Sequence, residues 1–236
     1  MSIFSEALRE GFGFLASGSL DIWAIIITSL RVSGSAVALA LTLGVPTGFL
    51  LGTRRSVSRS VALAIANAGM GLPPVVVGLV VAMTLSRRGP LGNLSLMYTQ
   101  TAMVIAQVII AAPVVAAVTA AAVSGVPHEL RLQLRSLGAS RVREAAAMLV
   151  EARMGLFAAI AAGFGSIISE VGAVTMVGGN IAGDTRVMTT AIVEFTRKGN
   201  YGEALALAII LMSIVIVVNV LLTTAQTSAE RWDPGR

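Results

Sequence analysis

Five stretches of this 236-residue chain are apolar over lengths that cross a lipid bilayer, and no other feature limits its fold as much. They cover about 22–51, 61–85, 96–123, 155–177 and 204–224. A spanning helix needs roughly 20 predominantly apolar residues, because the hydrocarbon is ~30 Å thick and a helix rises ~1.5 Å per residue. Hydrophobic residues make up 56% of the chain and charged residues 12%. Soluble domains carry about 25% charged residues, so the solvent implied for this chain is lipid. The expectation is an all-α membrane protein with about five transmembrane helices, forming a single domain over 1–236.

Individual residues punctuate these spans. Arg31 interrupts the first, and the helix from Arg31 to Leu51 alone rises about 30 Å. Arg31 therefore belongs at one interface, near Trp23, as a snorkelling side chain. Leu72-Pro73-Pro74 must break or kink the second span, because proline removes a donor and clashes with the preceding turn. Pro113 lies inside the third span and Glu170 inside the fourth. Glycine, alanine and serine are frequent throughout, as expected where helices pack closely in lipid. The first ten residues hold two glutamates and one arginine. They lack the basic start and apolar run of a cleavable signal and read as a short amphipathic lead-in.

An odd number of spans puts the termini on opposite sides. One side holds Arg54, Arg55, Arg59, Arg131, Arg135, Arg141, Arg143, Arg153, Arg231 and Arg236, and the other Arg9, Arg87, Arg88, Arg186, Arg197 and Lys198. Ten cations against six make the first side cytoplasmic, so the N-terminus faces out and the C-terminus in. The high isoelectric point, near 10.9, follows from these basic loops and does not call for nucleic acid. Cysteine is absent and His128 is the single histidine, which removes thiolate and multi-histidine metal sites. No serine or aspartate is placed to build a triad with His128, which reads as a solvated or contact histidine. No glycine-rich phosphate loop ending in lysine and serine or threonine is present, so the chain cannot hydrolyse ATP alone. No catalytic residues and no cofactor of its own are expected of the chain.

The connection over 124–154 is not a flexible linker. Glu129-Leu130-Arg131-Leu132-Gln133-Leu134-Arg135-Ser136-Leu137 mixes leucines and charges at helical spacing. Gly138 can end that helix in a left-handed cap. Ser140 can cap a second helix, and Glu144 sits in its first turn, favourable to the helix dipole. The spacing predicts helix, glycine turn, helix on the cytoplasmic face.

With Leu137-Gly138-Ala139-Ser140 at its centre, this loop resembles the coupling loop of ABC importer permeases of the type I fold. In that family the loop's short helix sits in a groove of the ATPase. The family pattern has a glutamate and two alanines beginning six residues before the glycine; Leu132, Gln133 and Leu134 stand there in this chain, and Glu151 replaces a later proline. Two further regions strengthen the likeness. Leu72-Pro73-Pro74-Val75-Val76-Val77-Gly78, followed by Arg87-Arg88-Gly89, is similar to the same region of molybdate- and tungstate-type permeases. So is Ser169-Glu170-Val171-Gly172-Ala173-Val174, followed by Gly179-Asn180-Ile181-Ala182-Gly183-Asp184-Thr185-Arg186. The run Thr185-Arg186-Val187-Met188-Thr189-Thr190 is more similar to the tungstate type.

The resemblance implies three groups of residues. Arg135, Leu137, Gly138, Ala139 and Arg141 would couple to the ATPase. Pro73, Pro74, Ser169, Glu170 and Gly172 would line or gate the pathway. Asp184, Thr185 and Arg186 would belong to an outer docking loop. It also implies an inner-membrane system with two ABC ATPase subunits carrying ATP and Mg, and an extracytoplasmic oxyanion-binding protein. Five spans are few to enclose a gated path, so a homodimer with the pore on its two-fold axis is expected. The cargo implied is tungstate, with molybdate and sulfate as alternatives.

Residue chemistry leaves some roles open. Pro73-Pro74 serves a structural kink as well as a pathway, because broken backbone is tolerated where protein covers it or it lines a cavity. Glu170 falls on a face with Gly163, Ser166 and Ile167 of the fourth span. A carboxylate is a poor ligand for a dianion, since like charges repel strongly at low dielectric. Glu170 therefore reads as holding neighbouring helices or a gate through hydrogen bonds. The segment 180–200, with Arg186, Arg197 and Lys198 against Asp184 and Glu194, reads as an outer loop that docks a binding protein or is merely solvated. Arg87 and Arg88 read as interfacial anchors.

Overall fold

The computed structural model describes residues 9, 11, 13, 20–53 and 57–231. Arg54, Arg55, Arg236, the Arg231 side chain and the lead-in before Arg9 lie outside the described residues. The described chain is helical: α1 (Leu20–Thr53), α2 (Val57–Met70), α3 (Pro74–Leu85), a 3-10 turn (Gly92–Leu94), α4 (Gln100–Ser124), α5 (His128–Ser136), α6 (Arg141–Glu151), α7 (Arg153–Ile168), α8 (Gly172–Gly178), α9 (Met188–Lys198) and α10 (Tyr201–Arg231). α1, α4 and α10 are each long and apolar enough to cross a membrane. Two broken pairs, Arg59–Met70 with Pro74–Leu85 and Arg141–Glu151 with Arg153–Ile168, meet the same criterion jointly. The second pair bends by 71°. Its first member, α6, carries Arg141, Arg143, Glu144 and Glu151, so the lipid-facing part begins with α7.

Two expectations change. The fourth span is not one helix over 155–177: α7 stops at Ile168, and Ser169, Glu170 and Val171 separate it from the short α8. Glu170 therefore does not share a helical face with Gly163 and Ser166. The outer segment over 180–200 is not a plain loop, because 188–198 forms α9. Its start is made by groups that sequence pattern does not flag. The Thr190 hydroxyl accepts from Val187 N (3.1 Å), and Ser29 Oγ of α1 accepts from Met188 N (2.7 Å). Gly199, at φ +83°, ends it.

The chain divides into two compact units. The first comprises the described part of Met1–Ala36 with Pro73–Ile109 and Ile167–Val218; the second comprises Val37–Leu72, Ile110–Ser166 and the described part of Asn219–Arg236. In the first unit, Ile22, Ile25 and Ile26 of α1 form a core with Met188 and Ala191 of α9 and Leu207 of α10. In the second unit, Gly44, Gly48 and Gly52 present a four-residue ladder of α1 backbone to α4. A Cβ on Gly44 would lie 2.7 Å from Val115, one on Gly48 2.5 Å from the Ala116 carbonyl, and one on Gly52 2.8 Å from Val123. Backbone contact this close supplies van der Waals attraction where lipid tails remove any hydrophobic gain from helix association. α10 keeps Met212, Ile216, Val217, Val220 and Leu221 exposed. Such an outward face is matched to lipid as solvent.

Candidate functional site: a latched helical hairpin and a paired helix break

The second unit carries the hairpin of α5 and α6. Pro127 occupies the N-cap of α5 and Glu129 its first turn, which fixes the entry and complements the dipole. The exit is a full Schellman turn. Ala139 N donates to Leu134 O (2.9 Å), Gly138 N donates to Arg135 O (3.0 Å), and Gly138 is left-handed at φ +73°. Ser140 caps α6 by accepting from Arg143 N (3.4 Å). Helix, glycine turn and helix stand where the sequence places them.

A cluster of charged side chains locks the two helices together. Glu144, 7% exposed, receives Arg135 through both Nε (3.0 Å to Oε2) and Nη2 (3.2 Å to Oε1), and also receives Arg131 Nε. Hydrogen bonds from Arg135 and then Arg131 hold its carboxyl below the usual carboxylate range. Arg131 also donates through Nη1 to Thr53 O (3.1 Å) at the end of α1. Arg59 acts nearby, donating to Leu51 O (2.6 Å) and Ser124 Oγ (3.1 Å). These arginines cap carbonyls at helix C-termini, where cations are favoured. A sequence signal for the latch did exist: one first-turn glutamate facing two arginines one turn apart on the preceding helix. The apex stays free. Leu137 is 83% exposed and Val142 79%, with Gly138 open to solvent between them. Arg135 and Arg141 are exposed and Ala139 is half-buried.

The first unit carries the two helix breaks. Pro74 stands at the start of α3, where its missing N–H costs nothing, and Pro73 is extended at ψ 120°. At the other break the Glu170 carboxylate accepts from Ala173 N (2.8 Å) and so caps α8. The Glu170 carbonyl accepts from Thr189 Oγ1 of α9 (2.9 Å). The breaks are brought together by glycine. A Cβ on Gly172 would lie 2.8 Å from Val75 Cγ2, and one on Gly78 2.7 Å from Ala173 Cα. α8 can therefore lie against α3 only with glycine at both contacts. Ser169 is exposed beside this junction.

The segment leading to α9 folds back on itself. Thr185, 0% exposed, donates to Gly178 O (2.5 Å) and accepts from Ile181 N (3.0 Å). Arg186 turns toward Glu194 (3.0 Å) rather than outward. Glu194 also receives Lys198 (2.6 Å) and Asn180. The Lys198 hydrogen bond foremost holds its carboxyl below the usual range. Of the three expected docking residues, only Asp184 has an exposed side chain; Thr185 and Arg186 build the turn that presents it.

Helical spans, a latched helical hairpin and paired helix breaks describe a membrane component of a transporter. The chain belongs to the binding-protein-dependent transport system inner membrane component family, whose profile matches residues 44–232. It is 43% identical over 202 residues to a probable anion ABC transporter permease protein of Haloferax volcanii, covering 84% of this chain and 87% of that one. It is 35% identical over 226 residues to the tungstate uptake system permease protein of Peptoclostridium acidaminophilum, covering 96% and 99%. In fold it is similar to a chain of a bacterial ABC transporter involved in the import of the acidic polysaccharide alginate, with a TM-score of 0.73 at 17% identity, covering 94% and 83%. It is thus a multi-pass transport subunit, not an enzyme.

Proposed function

We propose that this chain is the permease subunit of an ATP-driven importer that admits an oxyanion, with tungstate as its cargo. Two copies form the pore. Two ATPase subunits engage the cytoplasmic face, and a binding protein delivers the anion on the other side. The N-terminus lies outside and the C-terminus inside, in keeping with the arginine-rich connections.

The observation that carries the ATPase coupling is the hairpin at Gly138. It exposes the large apolar side chains Leu137 and Val142 at its apex, with Leu132 and Val150 also exposed along its helices, and apolar anchors of this kind suit a partner's groove. Glu144 makes the hairpin rigid. Arg131 ties it to the last turn of α1, so displacement of the turn by closing ATPases reaches a transmembrane helix directly. The paired breaks at Pro73-Pro74 and Glu170 supply non-helical backbone at membrane depth, which fits a pathway or gate. Glu170 serves there by capping α8, not by touching the dianion. The cargo reading draws on the anion and tungstate permeases to which the chain is similar.

The test is reconstitution with the ATPase and binding protein in liposomes. ATP-driven uptake of tungstate is expected, measured with molybdate and sulfate as competitors. Uptake without the ATPase would sink the importer reading, and preferential uptake of molybdate or sulfate would reassign the cargo.

A further inference from the structure

We propose that the cavity formed by α3, α8 and α9 in the first unit is a transient binding site for a divalent oxyanion on its way from the binding protein; this rests on the oxyanion cargo proposed above. The cavity measures about 580 Å³. Its apolar wall includes Val75 and Gly172, the residues at which the two helix breaks meet. Its polar wall includes Thr190, Glu194, Arg197 and Lys198. A site that adjoins the predicted pathway and carries cations is where an arriving anion would pause.

The charges are graded rather than saturating. Glu194 is ionised and fully engaged, one oxygen with Lys198 and the other with Arg186 and Asn180. Arg197 takes no part in an ion pair among the described residues and is exposed. Lys198 and Arg197 against Glu194 leave the lining with an excess of one positive charge; Arg186, which does not line the cavity, also pairs with Glu194. Such a surface attracts a dianion, while the nearby carboxylate keeps it from being held tightly. A transport site needs both properties, because conduction requires entry and release.

The test uses the complete transporter in liposomes, with oxyanion transported and ATP hydrolysed measured together for the parent, Arg197→Gln, Arg197→Lys and the double variant Arg197→Gln/Lys198→Gln. Because Arg197 is exposed, the substitution leaves the fold in place, checked by elution volume and yield. The glutamine variants are expected to lower oxyanion transported per ATP by about tenfold, with hydrolysis stimulated by the binding protein changed less than about twofold, and Arg197→Lys is expected to retain most of the ratio. An unchanged ratio in both glutamine variants overturns the proposal. A parallel loss of stimulated hydrolysis overturns it too, because the cations would then dock the binding protein. A parent that moves no oxyanion at all refutes the cargo reading instead, and so separates the two failures.

Discussion

Arg135 Nε lies 3.0 Å from Glu144 Oε2 across the Gly138 turn, so a side chain of α5 and a side chain of α6 close a ring around the one residue that reverses the chain. With Arg131 on the same carboxylate, the hairpin is a braced lever rather than two helices on a hinge.

Glu144→Gln removes the charge that both arginines share. Uptake is expected to fall more than ATP hydrolysis, and Tm of the detergent-solubilised protein to drop by a few degrees. The pH dependence has a definite sign. The Glu144 carboxyl is held below its ordinary value of 4.5, chiefly by the bond from Arg135 and then from Arg131. Its contribution to stability is therefore complete above that pH and is lost as pH falls through the lowered value. The Tm difference between parent and Glu144→Gln should stay constant from pH 7 down to about 5 and shrink on further acidification. A difference that widens in acid would contradict the latch.

Gly138 occupies the left-handed region with no atoms near its Cβ position. Gly138→Val meets no clash there but pays roughly 1–2 kcal/mol in backbone conformation, more for a branched residue. The protein should still insert, with Schellman geometry lost at the apex and uptake uncoupled from hydrolysis. Parental uptake per ATP in Gly138→Val would show that the turn is not the coupling element.

Gly48 and Gly34 of α1 offer a matched pair. A Cβ on Gly48 would sit 2.5 Å from the Ala116 carbonyl and 2.7 Å from Thr119 Cβ, whereas one on Gly34 meets nothing within 4 Å. Gly48→Ala is expected to cost about 1–3 kcal/mol through forced separation of α1 and α4. Gly34→Ala should be neutral or stabilise by up to about 1 kcal/mol from helix propensity. Thermal unfolding in a single detergent checks both; equal shifts would deny the close approach.

Glu170 separates charge from capping. In Glu170→Gln the side-chain oxygen can still accept from Ala173 N, so uptake and stability should remain near parental. Glu170→Ala removes the cap and should cost about 0.5–2 kcal/mol, with reduced uptake. A Glu170→Gln variant as defective as Glu170→Ala would show that the negative charge itself is required.

Much of this protein was determined by its sequence alone. Apolar runs of bilayer length set the helical membrane fold, because a backbone in lipid satisfies its polar groups within each helix. Pro73-Pro74 marked a break, and Gly138 with Ser140 marked the hairpin, because proline, left-handed glycine and a capping hydroxyl act on their own few residues. The rest was decided by tertiary structure, since it depends on groups distant in the chain. Thr189 holds the Glu170 carbonyl and Ser29 holds the start of α9 from 159 residues away. The ladder of Gly44, Gly48 and Gly52 acquires meaning only from the α4 backbone against it. Glu144 reads as a favourable first-turn charge until Arg131 and Arg135 are seen to surround it. Local conformational preference is written residue by residue, whereas partnership across helices exists only once the helices have packed.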